Sequence, residues 1–151
     1  MEAQKVRLAA YDGRLSDLGS GAPAAFVPLI SSNWNSTFTW QGVGEMPADQ
    51  RATLRRVVDT AHTNGQRVRF WATPDVPGTA REAVWSELVG AGVDHLNTDD
   101  LPGLQEFLLL QGADAQAALE CASYTRSPIS REMSRCTSRS SSSSTESMAG
   151  A

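Results

Sequence analysis

Histidine and cysteine, on which many catalytic and metal sites depend, are scarce in this chain of 151 residues. There are two of each, His62 and His95, and Cys121 and Cys136. Two cysteines cannot build a metal site alone, and their placement in a polar region does not indicate a disulfide framework. The two histidines lack the spacing of a metal-binding pair, and neither a Ser-His-Asp set nor a phosphate-binding glycine loop is present. The sequence therefore predicts no catalytic residue and no metal ligand from these common motifs.

Two further absences limit the possible partners. No apolar run approaches the ~18 residues that a membrane span requires, so we expect no transmembrane segment. The net charge is −4, whereas a nucleic-acid-binding surface is normally basic, so we expect no nucleic-acid partner. The start of the chain, MEAQKVRLAAYDG, lacks the apolar core of a secretory signal, which leaves the cytoplasm as the default compartment.

A patterned part of the chain is followed by a polar one. The end of the chain, CASYTRSPISREMSRCTSRSSSSSTESMAGA, is rich in Ser and Arg and poor in branched aliphatic residues. Such a segment cannot bury enough apolar surface to offset the entropy lost on ordering. We predict one folded domain over residues 1–112 and a disordered, low-complexity tail over residues 113–151.

Strand-like and helix-like runs alternate in the patterned part. Strands are predicted in KVRLAAY, AAFVPLIS, QRVRFWA and GVDHLN, although Pro28 is an awkward residue for a sheet interior. Helices are predicted over residues 49–64, from a capping box at residues 79–82, and after Asp99 or Asp100. The alternation indicates an α/β fold with a parallel sheet, either open and doubly wound or part of a (β/α)8 barrel. In both architectures chemistry is expected at the carboxyl ends of the strands.

Helical periodicity predicts which side chains of these helices are buried. The predicted buried stripes are Leu54, Val57, Val58 and Ala61 in the first helix, Val84, Trp85, Leu88 and Val89 in the second, and Leu101, Leu104, Phe107 and Leu108 in the third. Of the histidines, His62 is expected near a helix C-terminus and His95 as a packing residue in a short strand.

Three loops lie at the predicted carboxyl edge: residues 31–47, TPDVPG after Trp71, and NTDD. The loop from Ser31 to Pro47 is longer than a usual βα connection of about 2–6 residues, and it contains Trp34, Phe38 and Trp40. These aromatics either form a ligand wall or pack over the end of the sheet. In the third loop, NTDD, a metal-binding role for the adjacent aspartates is less favoured than helix capping.

The third predicted strand has two unlike faces. Because side chains alternate along a strand, Arg69, Trp71 and Thr73 share one face, and the apolar Val68, Phe70 and Ala72 share the other. A buried arginine needs an anionic partner. A phosphate would match the guanidinium fork. The alternatives are a salt bridge to Asp12, Asp94 or Glu45, or a position near the strand's start where the arginine only covers the bottom of a barrel.

Several of these segments together resemble a known family. GQRVRFWATPD, followed by the spaced pattern that ends in GVDHLNTDDL, resembles the C-terminal half of phosphatidylinositol-phospholipase-C-like phosphodiesterases, nearest to the altered-inheritance-of-mitochondria branch. FWATPD and GVDHLNTDD more distantly resemble the strand-seven tryptophan segment and the strand-eight segment of glycerophosphodiester phosphodiesterases. YDGRLSDL and VPLISSNWNSTFTWQGVGEMP fit the same branch.

The resemblance implies a TIM barrel of which this chain supplies about the last four βα units. It implies phosphoric diester hydrolysis, of a lipid or a glycerophosphodiester, by a pair of histidines and a divalent cation such as Mg²⁺ or Ca²⁺. In the family those groups come from the first strands, and neither histidine of this chain matches a catalytic position. Substrate-binding candidates are Trp71, which matches the site tryptophan of the family, together with Arg69, Asn97, Trp34 and Trp40.

The leading interpretation is therefore a truncated family member that is inactive alone. Its ligand would be a phosphodiester or a phospholipid headgroup, and exposed half-barrel edges would let it self-associate. Two alternatives stay open: a non-enzymatic module that binds phosphate or a sugar phosphate, and an open α/β domain of unrelated function.

Overall fold

The computed structural model describes residues 8–124, and side chains as far as residue 116. The strands are β1 (Asp12–Gly13), β2 (Leu29–Asn33), β3 (Arg67–Trp71) and β4 (His95–Leu96). The helices are α1 (Trp34–Thr37), α2 (Ala48–Thr63), α3 (Thr79–Ala91) and α4 (Leu101–Tyr124). All neighbouring strands are parallel, in the order β1-β2-β3-β4. The predicted α/β class with a parallel sheet is confirmed, and the sheet is compatible with a portion of a TIM barrel.

The first two strands begin later than predicted. Strand β1 is the Asp12–Gly13 pair that the sequence suggests as a turn, whereas Leu8 is fully exposed and residues 8–11 are not strand. A side chain at Gly13 would collide with Val27 and Ile30, so glycine lets β1 lie close to the core. Strand β2 begins just after Pro28, which has no N–H for a ladder but whose carbonyl accepts the Arg67 amide at 2.9 Å.

Helix α2 agrees with the prediction, and helix α3 differs at its start. All four predicted apolar residues of α2 are buried. In α3 the N-cap is Gly78 rather than Thr79, and the amide of Glu82 donates to the Gly78 carbonyl at 3.2 Å. The predicted capping box is therefore wrong, although its position marks the helix start correctly. The helix ends at Ala91, and its C-cap is Gly92, whose φ of +81° suits a residue without a Cβ. Val89 is 37% exposed, so its predicted burial in α3 is wrong.

The last helix begins as predicted but does not bury its predicted stripe. Asp100 caps it by accepting the amide of Gly103 at 3.0 Å. Leu101 is 69% exposed and Leu108 is also exposed, so the predicted burial of these two residues is wrong. Helix α4 extends past the predicted boundary at residue 112 to Tyr124. The remainder of the predicted tail, residues 125–151, lies outside the described part of the chain.

The core lies between the sheet and the helices and is aromatic at its centre. Trp34, Phe38 and Phe70 pack together with ring centroids 4.3–5.7 Å apart. Val68 and Phe70 come from the apolar face of β3 and are buried, as the alternation predicts. Across residues 8–124 we find no helix with the length and apolar character needed to cross a bilayer.

Candidate functional site

The face of β3 opposite the core carries the polar residues. Arg67 is exposed, Arg69 is partly buried, and Trp71 is 38% exposed at the last position of the strand. In-register neighbours in a parallel sheet point to the same side, so Ser31 lies beside Arg69 and Asn33 beside Trp71. We refer to the sheet face that bears Arg67, Arg69 and Trp71 as the open face.

Trp71 and Asn97 lie at the carboxyl edge of the sheet. Trp71 ends β3, and Asn97 directly follows β4. The hydroxyl of Thr73 donates to the carbonyl of Asn97 at 3.3 Å, which joins the segments that leave the two strands. An exposed indole beside side-chain amides can contact an apolar group and donate hydrogen bonds to an oxyanion. Parallel sheets commonly bind ligands at this edge.

The loops after β3 and β4 are held together by Asp75. Its carboxylate accepts a hydrogen bond from the hydroxyl of Thr98 and another from the amide of Asp99 at 2.9 Å. Arg81 donates to the Asp75 carbonyl at 3.4 Å and to the Asp100 carboxylate at 2.7 Å. We refer to Asp75, Thr98, Asp99, Arg81 and Asp100 as the Asp75 clamp. It fixes the backbone on both sides of the carboxyl edge.

Arg81 is a site-supporting residue that the sequence reading missed. It is only 5% exposed, and its guanidinium lies 4.4 Å from the centroid of the Trp85 ring, a cation–π contact. In the sequence, the feature that indicates a location near the core is the position of Arg81 one turn before Trp85, on the apolar side of α3. This position does not identify an ionic partner, so the sequence does not predict the ion pair with Asp100.

The clamp carboxylates are poor candidates for a metal site. The backbone N–H of Gly103 and then the Arg81 guanidinium hold the pKa of Asp100 below its usual value. The carboxylate of Asp75 is occupied by neighbouring donors. No group of three His, Cys, Asp or Glu residues in the searched part of the chain could hold a metal ion. The divalent cation that the resemblance implies is therefore not supported by this set of donors.

The backbone is strained where β3 leaves the sheet. Ala72 has a φ of +57°, a left-handed conformation that costs roughly 1–2 kcal/mol for a residue with a Cβ. Its carbonyl accepts the side-chain amide of Asn35 at 3.0 Å, which supports that conformation from α1. Strained residues of this kind concentrate at functional sites. This one directly follows Trp71.

The predicted salt bridges of Arg69 do not form. Each candidate carboxylate has another partner: Asp12 pairs with Arg14 at 2.7 Å, Asp94 contacts the His62 imidazole at 2.9 Å, and Glu45 pairs with Arg51 at 3.4 Å. Among residues 8–116 no carboxylate lies within ion-pair distance of the Arg69 guanidinium. The salt-bridge alternative for this residue is therefore wrong.

Arg69 is directed away from the carboxyl edge. Its Nε donates to the hydroxyl of the buried Ser31 at 3.1 Å, so the guanidinium lies over β2. There it lines a shallow depression with Ala10, Tyr11, Asp12, Pro28 and Leu29, which lie at or before the starts of β1 and β2. The structure thus brings Trp71 and Asn97 to one edge and places the Arg69 guanidinium toward the opposite half of the open face.

The loop tryptophans are part of the core. Trp34 is fully buried, and its indole N–H donates to the Trp40 carbonyl at 2.9 Å. Trp40 is nearly buried and donates to the Val43 carbonyl at 3.0 Å. The predicted ligand contacts of Trp34 and Trp40 are corrected accordingly, since neither side chain presents a surface to a ligand. Of the two alternatives for this loop, packing over the sheet is the one observed.

The two histidines have different surroundings. His62 lies in the last turn of α2, as expected, and contacts Asp94 through Nε2 at 2.9 Å. His95 is exposed, on the strand position in register with Arg69, so its interpretation as a packing residue is wrong. Because His62 is held by Asp94 and lies on α2, the structure does not bring it to the carboxyl edge with Trp71.

Comparisons with known proteins show which families this chain resembles. Residues 67–102, from the start of β3 to the first turn of α4, match the Glycerophosphoryl diester phosphodiesterase family. Altered inheritance of mitochondria protein 6 of Eremothecium gossypii is 33% identical over 107 residues, which cover 63% of this chain and 26% of that protein. A homolog of that protein in Arthroderma benhamiae is 33% identical over 99 residues, covering 60% of this chain and 30% of its own length.

The resemblance to this phosphodiesterase superfamily is therefore confirmed, as a partial match. The chain spans about a quarter of the length of the Eremothecium relative. No solved structure matches the chain. The matched residues contain Arg69, Trp71, Asn97 and the whole Asp75 clamp.

Proposed function

We propose that this chain forms the phosphodiester-binding wall of a phosphoric diester hydrolase of the glycerophosphodiester phosphodiesterase type. The observation that carries the proposal is the exposed indole of Trp71 at the carboxyl edge of β3, inside the segment that matches the family. On this proposal the four βα units are a portion of a (β/α)8 barrel, whose active sites lie at the carboxyl ends of the strands.

The residues of this edge have separate roles in the proposal. Trp71 packs against the apolar or glycerol part of the diester. The side-chain amide of Asn97 donates a hydrogen bond to a phosphoryl oxygen. The Asp75 clamp holds the loops that follow Trp71 and Asn97. The Asn35 side chain supports the strained conformation of Ala72, directly after β3, by donating to its carbonyl.

The proposed role is binding rather than acid–base chemistry. General acid–base catalysis needs a titratable group within hydrogen-bond reach of the reacting atoms, and His62 is held by Asp94 instead. We propose that the catalytic histidines and the divalent cation of a complete enzyme act from other βα units. The expected behaviour of the chain is diester binding without turnover. A phospholipid headgroup is an alternative source of the same phosphodiester chemistry.

Tryptophan fluorescence offers a direct test of diester binding. Of the four tryptophans, Trp34, Trp40 and Trp85 are buried and Trp71 is exposed, so a ligand at the carboxyl edge should change the Trp71 emission. We expect glycerophosphocholine to shift the emission of the wild-type chain. W71A should weaken binding about tenfold or more, as expected for loss of a central aromatic contact, when binding is followed by calorimetry.

V76A is the matched control, because Val76 is exposed in the loop that follows β3 and has no assigned role. It should bind as the wild type does. Equal affinities for W71A and V76A, or no binding of either glycerophosphocholine or glycerophosphoinositol, would contradict the proposal. Turnover of either diester by the purified chain would contradict the assignment of a binding role alone.

A non-enzymatic module that binds phosphate or a sugar phosphate is the second candidate. The observation that favours it is the Arg69 guanidinium, which has no carboxylate partner among the described residues and lies away from Trp71. Binding of glycerol phosphate or glucose phosphate that is stronger than binding of any diester, and that is insensitive to W71A, would support this candidate over the first.

A further inference from the structure

The depression at the amino half of the open face combines a cation with an apolar floor. It is lined by Ala10, Tyr11, Asp12, Pro28, Leu29 and Arg69. Most of these are apolar or aromatic, and Tyr11 is partly exposed with its ring stacked on Phe26 at 5.9 Å. Because the strands are parallel, this position lies at the edge opposite to Trp71 and Asn97.

The Arg69 guanidinium is oriented but not neutralised. A guanidinium has five N–H donors, and here the Nε donor is bonded to Ser31 while no hydrogen bond from either Nη atom is found among the described residues. The side chain is partly buried, so part of its hydration is lost. A cation in this state gains from an oxyanion that accepts two parallel hydrogen bonds.

The carboxylate that lines the depression, Asp12, is already paired. Asp12 Oδ2 accepts from Arg14 Nη1 at 2.7 Å, and the same nitrogen also lies 3.3 Å from the Ser31 carbonyl. Hydrogen bonding to Asp12, with its negative charge, raises the pKa of Arg14. Arg14 therefore holds Asp12 on the β1 side of the depression, which leaves the Arg69 fork available for an exogenous anion.

From these observations we propose that the depression binds an oxyanion that carries an apolar group, such as an organic phosphate. The two Nη groups of Arg69 bind the oxyanion, and Leu29, Pro28 and the Tyr11 ring contact the apolar group. Ser31 is a positioning residue, since it acts only by fixing the guanidinium. This site is separate from the carboxyl edge, and the inference does not rest on phosphodiester hydrolysis.

Phenyl phosphate is the probe, because it carries both an oxyanion and an apolar ring. Inorganic phosphate and phenol each carry one of these two groups and serve as the partial probes. Binding is followed by calorimetry and by the chemical shifts of the arginine Nε–H groups. We expect phenyl phosphate to bind more tightly than either partial probe and to shift the Arg69 Nε–H signal. R69Q should weaken its binding about tenfold or more, because two charge-assisted hydrogen bonds are lost.

R67Q is the matched control, since Arg67 lies two residues earlier on the same strand and face, is exposed and does not line the depression. It should change the affinity less than about twofold, as expected for a screened surface charge. R69K keeps the positive charge but loses the guanidinium fork, so its affinity for phenyl phosphate should lie between those of R69Q and the wild type. R69K also tests the proposal if R69Q fails to fold. D12N should strengthen binding by removing a nearby negative charge.

The outcomes separate this inference from the proposed function. Equal effects of R69Q and R67Q, or phenyl phosphate shifts that centre on Trp71, would overturn the depression as an anion site. If R69Q abolishes phenyl phosphate binding while W71A leaves it unchanged, the inference is supported whether or not any diester binds at the carboxyl edge. If glycerophosphocholine binds and phenyl phosphate does not, only the proposed function survives.

Discussion

Asp94 shows how a single carboxylate joins three elements at the amino edge of the sheet. It accepts from His62 on α2 and from the amide of Val68 on β3 at 2.8 Å, and it directly precedes β4. Burial is the largest single influence and raises the pKa of this carboxyl. The hydrogen bonds from His62 and from the Val68 amide, together with the charge interactions with His62 and His95, outweigh it, so the net pKa is lowered.

This lowered pKa predicts an acid-dependent loss of stability. A carboxyl whose pKa is lower in the folded state contributes stability above its unfolded pKa of about 3.9, and that contribution disappears as the pH falls through the folded pKa. We expect D94N to unfold at lower urea concentration than the wild type at pH ~6. The difference should shrink as the pH is lowered toward ~3.

D59N is the control for this measurement, because Asp59 is an exposed carboxylate of α2. The stability of D59N should match that of the wild type at both pH values. A difference between D94N and the wild type that stays constant with pH would show that Asp94 acts only as a neutral hydrogen-bond acceptor.

At the same scale, the placement of Arg69 could be predicted only in part. Strand alternation correctly separates Arg69 and Trp71 from Val68 and Phe70, because a period of two follows from backbone geometry alone. The direction of the guanidinium depends on Ser31, which is 38 positions away in the chain. Local sequence carries no information about that contact, so the salt bridges suggested by the cost of burying an arginine were wrong.

At the scale of elements, the long loop between β2 and α2 is fixed by its fit against α3. Gly42 has a φ of +85°, and a Cβ at this position would overlap the backbone of Ala80 in the first turn of α3. The loop can therefore approach α3 only where the side chain is absent. This contact holds the loop that buries Trp34 and Trp40 against the sheet.

The contact predicts a large difference between two glycines of the same loop. We expect G42A to lower the free energy of unfolding by about 2–4 kcal/mol, because left-handed strain and steric overlap add. G44A should cost only about 1 kcal/mol, since Gly44 has a φ of +67° but open space around it. Urea unfolding of both variants measures the difference. Equal losses would mean that the loop moves to accommodate a side chain at Gly42.

The loop between β2 and α2 also shows which structural elements could not be predicted from the sequence. Helices with strong periodicity, such as α2, were predicted within a residue or two, because their apolar spacing reflects burial directly. The aromatic loop was ambiguous, since tryptophan suits both a core and a binding surface. Short strands such as β1 and β4 contain two residues each, too few for a period to be visible.

For the molecule as a whole, the features that bear on association are the outer strands and the open face of the described sheet. Strands β1 and β4 lie at the two ends of the described sheet, and unpaired edges favour pairing with another chain. Leu8, close to β1, and Trp71 are exposed apolar residues on this part of the chain. We therefore retain the prediction that the chain associates with a second copy of itself.

Sedimentation velocity over a wide range of protein concentrations tests this prediction. The average mass should rise with concentration, and L8K should reduce the rise by placing a charge beside β1. V43K is the matched control, because Val43 is equally apolar and exposed but lies in the loop before α2. A constant monomer mass for the wild type would contradict self-association.

The Asp75 clamp also has a thermodynamic consequence for binding. Because one carboxylate holds the backbone after β4 while the clamp arginine holds the loop after β3, neither segment needs to be ordered when a ligand arrives. Ordering flexible loops and side chains is a major cost of association, about 0.5–1.5 kcal/mol for each immobilised side chain. A wall that is already rigid avoids this cost. On the proposed function, a small contact area around Trp71 and Asn97 would then be enough for a measurable affinity for a small, polar headgroup.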